Sequence, residues 1–143
     1  MRALAAAVRF CQHPPMAEHE VVVGAGTLRS DAPTTVKFPH RWTTEGVTVD
    51  AAFTGAHLLN LAAAGCVLND VYREAEPLGV AVRGVRVTAS GGFDAEWRST
   101  GIRYGIEIDS DAGTDAIEAL LTRVDQVAEI PKVLRTGASV DRA

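Results

Sequence analysis

Cys66 is the residue in this chain whose type and setting point most directly to chemistry. It stands in LAAAGCVLND, among small residues that let another backbone approach closely or leave a narrow apolar pocket over the sulfur. A thiol attacks only as thiolate, and apolar burial raises its pKa unless a cation or a hydrogen-bond donor compensates. Seated in mid-helix, Cys66 lies beyond the reach of its own helix dipole, which fades within the first turn. Asp70, one turn on, opposes ionisation or else orients an arginine. Activation therefore calls for a guanidinium: Arg29 and Arg41 are candidates from the N-terminal half, and Arg73 lies two turns further along the same helix face. The competing reading is plain packing, because cysteine is among the most buried residue types and is usually inert.

Other reactive side chains carry weaker signals. His57 falls in the first turn of the same helix, as a base, a ligand or a capping group. His40, Arg41 and Glu45 surround Trp42 in a loop that is either a solvated turn or the rim of a pocket. Cys11, near Pro14 and Pro15, reads as an exposed thiol on an N-terminal arm, with His13 and His19 flanking it without metal-ligand spacing. No lysine and hydroxyl pair follows Gly24-Ala25-Gly26 at phosphate-loop spacing, and Ser99 and Thr100 lack the glycine frame of a nucleophile elbow. The sequence offers no metal site.

The elements that must position Cys66 are legible from periodicity. Glu20 to Leu28 is β-branched and then glycine-rich, a strand with a bend at Gly24 or Gly26. Thr34 to Phe38 and Gly46 to Ala51 read as two more short strands. Thr54 offers an N-cap for a long helix from Gly55 to Leu78, apolar on every side through its first half and stopped by Pro77 and Gly79. Val80 to Ala89 reads as a strand with a bulge at Gly84, and Ile102, Tyr104, Ile106 and Ile108 alternate as a half-buried antiparallel strand. A second helix spans about Asp115 to Ala128 and is broken by Pro131. Lys132 to Arg135 adds a turn before a last short strand near Ala138 to Asp141.

With 143 residues, the chain is expected to be one domain, with residues 1–18 as an arm. Hydrophobic residues at 47% and charged residues at 22% are ordinary for a globular protein. A net charge of −4, with Lys and Arg dispersed, argues against a nucleic-acid groove or an anionic membrane surface. No apolar run approaches the roughly 18–20 residues that cross a bilayer, and Arg9 interrupts the opening apolar stretch before it reaches signal-peptide length. The cytoplasm is the expected compartment, with Cys66 a reduced thiol. The class is α+β, antiparallel sheet with helices on one face. One small sheet covers only one side of a helix that is apolar all round, so a two-fold homodimer is expected to cover the rest.

Element order and the cysteine helix together resemble the OsmC/Ohr family (osmotically inducible protein C and organic hydroperoxide resistance proteins), as a divergent OsmC-like member. The resemblance runs from Thr48 to Val140, through FTGAHLL, LAAAGCVLNDVYREAEPLGV, VRGVRVTASGGFD, GIRYGIEID and IPKVLRTG. It implies an intertwined homodimer with antiparallel sheets, a long buried central helix and a second helix, and two active sites at the subunit interface. It also implies that Cys66 occupies the peroxidatic position of a cysteine-based peroxidase acting on organic hydroperoxides without a cofactor. The catalytic arginine would come from the N-terminal strands, Arg29 first and Arg41 second. His57, Trp42, Leu59, Ala62 and Ile130 would line the substrate pocket. Two family positions differ here: Ile130 stands before Pro131 where a resolving cysteine is expected, and Ala56 stands where a glutamate holds the arginine. Resolution would then fall to Cys11, a partner thiol or an external thiol reductant. The alternative is a catalytically degenerate protein of the same fold that binds a small apolar ligand at the dimer interface.

Overall fold

The computed structural model describes residues 18–143. Five strands form one antiparallel sheet in the order β2-β3-β1-β4-β5: β1 Val21–Gly26, β2 Val36–Phe38, β3 Val47–Asp50, β4 Gly84–Ser90 and β5 Arg103–Asp109. Three helices complete the chain, α1 Gly55–Ala75, α2 Thr114–Val127 and α3 Glu129–Thr136. The α+β class with antiparallel sheet holds.

The strand register explains where the core sits. Pairing aligns Val47, Ala25, Val85 and Ile108 in one cross-strand row, and Val49, Val23, Val87 and Ile106 in the next. Side chains alternate faces along a strand, so these rows fall on one side of the sheet. That side packs on α1, whose Ala64, Val67, Leu68, Val71 and Ala75 are buried. α2 lays Ile117, Leu120 and Val124 into the same core and packs on α1. Each fully buried Leu or Val contributes roughly 1.5–3 kcal/mol. The opposite sheet face is polar, with an Arg86–Glu107 ion pair at 3.1 Å.

Thr54 caps α1 as expected: its backbone is extended, and its Oγ1 accepts from the His57 amide at 3.3 Å. The helix is shorter than expected and is not buried all round. Leu58 is 40% exposed and Ala62 is also exposed. Sheet, α2 and α3 cover one broad arc of α1, and the chain leaves the arc of Leu58, Leu61, Ala62 and Gly65 only partly covered.

Three expectations need correction. β4 starts at Gly84 rather than Val80, and its ladder is regular there, with Gly84 opposite both Gly26 and Asp109. The glycine answers a close approach rather than a bulge, since a Cβ would strike the Thr27 side chain and backbone. The expected turn at Lys132 to Arg135 is part of a full helix, α3. Pro131 is its third residue, within the first turn, where no intrahelical amide donor is required. Residues 138–141 form no strand and are exposed.

The bend at Gly26 is real. Its φ is +61°, and an added Cβ would collide with the Arg83 carbonyl that receives the Thr27 amide bond. Gly26→Ala is expected to destabilise the fold by at least about 2 kcal/mol, because a left-handed φ and a backbone clash coincide. Urea unfolding followed by circular dichroism measures it, and an unchanged midpoint would refute the assignment.

Candidate functional site around Cys66

Helical spacing sets the site. Leu59, Ala63, Cys66, Asp70 and Arg73 recur every three or four residues and so form one stripe along α1. α3 lies against that helix. The chain breaks at Ala128, where ψ swings to 112°, and the start of α3 then crosses over the stripe. The backbone N–H groups of Ile130 and Glu129 come near enough to the Cys66 sulfur to favour its thiolate. The helix supplying these donors is not the one that carries the thiol, which is how the site gains what α1 lacked.

Cys66 is 9% exposed. Burial pushes its thiol pKa up. The Asp70 and Glu129 carboxylates push it further, while the Ile130 and Glu129 amides pull it down. The thiol donates to Asp70 Oδ2 across 4.0 Å. Asp70 is itself buried, and burial raises its carboxyl to about 6, assisted by Glu129 and Glu74 and opposed by Arg73. Arg73 pairs with Asp70 at 3.1 Å, Glu74 at 3.1 Å and Glu129 at 3.8 Å, and Arg123 of α2 reaches Glu74 at 3.2 Å. This network ties three helices together around the sulfur. Cys66, Asp70 and Glu129 also offer metal-ligand atoms within 4.8 Å of one another. The guanidinium of Arg73 pairs with both of these carboxylates and offsets part of their charge.

One turn toward the start of α1, the same stripe opens onto a cavity of about 280 Å³ lined by Leu59, Ala63, Ile102, Tyr104, Pro131 and Leu134, with Arg135 at its wall. A second cavity, of about 370 Å³, lies on another side of the helix between Leu61, Ala62, Asn69 and the loop His40-Arg41-Trp42. There His40 bonds Thr43 at 2.7 Å and Asn69 at 3.1 Å, and burial lowers its pKa. The Arg41 guanidinium stacks 5.6 Å from the Trp42 ring centroid.

The expected site residues therefore divide. Leu59 lines the cavity on the Cys66 stripe, and Ile130 meets the sulfur through its backbone. Trp42, Ala62 and Arg41 wall the second cavity. His57 is in neither: its Nδ1 meets Thr54 Oγ1 at 2.6 Å and its ring stacks edge-on to His19 at 5.2 Å. Arg29 donates to the Gly26 carbonyl at 3.0 Å and packs behind Gly24, on the sheet face away from α1. Within one chain the charges acting on Cys66 are carboxylates, and the guanidinium beside them is that of Arg73. Glu129 escaped the sequence reading because only the break at Ala128 turns it back onto α1. Cys11 lies outside the described residues.

Asp70 binds its proton more tightly folded, at about 6, than at its ordinary value of 3.8, so its burial opposes folding above pH 6 and that opposition fades as the pH falls through 6 toward 4. Moving from pH 7.5 to 5 should thus stabilise the wild type relative to Asp70→Asn by about 1 kcal/mol. Paired urea titrations check this, and a gap that stays constant or moves the other way would refute it.

A crystal structure of an OsmC-like hydroperoxide resistance protein from Jannaschia sp. CCS1 is similar, with a TM-score of 0.46 and 17% identity over 88% of this chain and 93% of that one. No curated protein sequence matches. The model of the OsmC-like protein family matches residues 48–142, from β3 through α1 and its cysteine to the end of α3 and beyond. On that match, over about two thirds of its length, the chain belongs to the OsmC-like family.

Proposed function

We propose that this protein is a thiol-dependent reductase of organic hydroperoxides in which Cys66 is the reacting group. The observation that carries this reading is the place of Cys66 on α1: the α3 amides of Ile130 and Glu129 favour its thiolate, and its stripe neighbours Leu59 and Ala63, toward the start of the helix, line an apolar cavity. Attack of Cys66 Sγ on the distal peroxide oxygen breaks the O–O bond, forms an S–O bond and expels an alcohol, leaving a sulfenic acid. Backbone N–H groups aimed at the sulfur suit the negative charge that develops there. Leu59, Ala63, Ile102 and Leu134 suit the alkyl part of an organic peroxide better than hydrogen peroxide. With Ile130 before Pro131, the sulfenic acid is reduced by an external thiol, which forms a mixed disulfide and releases water; a second thiol then frees Cys66. A reducing compartment such as the cytoplasm supplies such thiols, and among the described residues no helix is long and apolar enough to cross a membrane. A second copy of the chain covers the exposed arc of α1 in this reading, bringing Leu58 and Ala62 out of water.

A second reading, binding of an apolar ligand without turnover, is favoured by the raised thiol pKa and the two carboxylates beside it. Incubation with cumene hydroperoxide and a sulfenate-trapping dione separates the two. Adduct at Cys66 within seconds, absent in Cys66→Ser, is the expected result. No adduct, in a protein that still binds an apolar dye, would support the second reading and overturn the first.

A further inference from the structure

Cys66 poses a proton problem: the thiol must lose its proton to react, yet the charges nearest to it are negative. We propose that Asp70 is the base that takes that proton, held for the task by Arg73; this deepens the thiol reading above and rests on it. The two oxygens of Asp70 face different partners, with the Glu129 carboxyl also in hydrogen-bond reach of the group. Oδ1 receives the Arg73 guanidinium at 3.1 Å, which leaves Oδ2 facing the Cys66 sulfur at 4.0 Å. One helical turn separates nucleophile from base, and three residues separate base from orienting group, so all three sit on one stripe by spacing alone. Nucleophile, base and orienting group in sequence is the arrangement that activates a weak nucleophile.

The surroundings support a base rather than a fixed ion. The Asp70 side chain is only 3% exposed, so the proton it accepts is not lost at once to solvent. Cys66 is faced from α1 by Asp70 and from α3 by Glu129. Asp70 is faced from α1 by Arg73 and Glu74 and from α3 by Glu129, while Arg123 of α2 acts through Glu74. A carboxyl raised toward neutrality by burial is a stronger base than a solvated one. In the reaction, Cys66 Sγ attacks the distal oxygen as its proton passes to Asp70 Oδ2. The O–O bond breaks, and that proton is handed to the leaving alkoxide. Alcohol, sulfenic acid and the original carboxylate result, with atoms and electrons in balance.

Asp70→Asn separates this role from simple electrostatics because the two predict opposite signs. If Asp70 only repels the thiolate, removing its charge lowers the Cys66 pKa and speeds alkylation at neutral pH. If Asp70 accepts the proton, alkylation slows. Labelling of the whole chain by iodoacetamide, followed by mass spectrometry from pH 5 to 10, reads the difference without any peroxide. In the wild type, the rate is expected to rise with the ionisation of Asp70 to a plateau at neutral pH, then rise again as the thiol itself ionises. Asp70→Asn should lose the plateau and react about tenfold or more slowly at pH 7. Arg73→Gln should keep the plateau but begin it at higher pH, because Arg73 holds the Asp70 pKa down. A wild-type profile with one alkaline step, or an Asp70→Asn variant that labels as fast or faster at pH 7, would overturn the proposal. The peroxide reading fails on a different result, absence of sulfenate at Cys66, so the two are scored independently.

Discussion

Everything at the Cys66 site depends on α1 being clamped between the sheet and the two C-terminal helices. The aliphatic rows of the sheet, through β1 and β4, take one side of the helix, and α2 and α3 take another. With Leu68, Val67 and Val71 essentially excluded from water, the helix has no freedom to rotate, so the stripe carrying Cys66, Asp70 and Arg73 is fixed in direction. Close packing of this kind transmits position without needing any bond to the reacting group. The thiol is aimed by hydrophobic contacts some distance from it.

Against that rigid frame the electrostatics are finely opposed. Burial and two carboxylates disfavour a thiolate, and two backbone amides at the start of α3 favour it. Arg73 stands between these influences. It touches Asp70, Glu74 and Glu129 but not the sulfur, so its charge reaches the thiol through the carboxylates it holds. Arg73 is 42% exposed, which leaves this network in contact with solvent on one side and moderates each ion pair. The charge pattern differs from a guanidinium placed directly on a cysteine. It fits a thiol that stays protonated until a base removes the proton.

The departures from expectation share a cause. Ile130 and Glu129 matter because α3 folds back at Ala128, and that reversal is a backbone event with no side-chain signature. Pro131 signalled that a helix ends, which is correct for α2, but proline is equally at home in the first turn of the helix that follows. Arg29 looked available because it is close to the strands that carry the core. Alternation along β1 and the turn after Gly26 put it on the far face of the sheet. The loop of His40 and Trp42 is a cavity wall because Asn69 of α1 holds the His40 ring.

The amino-acid sequence by itself determined the local elements: the capped helix after Thr54, the alternating strand through Ile102 to Ile108, a bend at Gly24 or Gly26, and the stripe that puts Asp70 and Arg73 in line with Cys66. These follow from spacing and intrinsic backbone preference, which act over a few residues and need no knowledge of the rest of the chain. The tertiary structure alone decided which segments cover Cys66, which arginine shares its surroundings, and which side of α1 each cavity occupies. Those are contacts between residues far apart in the chain, such as Cys66 with Glu129. They are selected by how whole faces of helix and sheet pack, and no local pattern encodes that outcome.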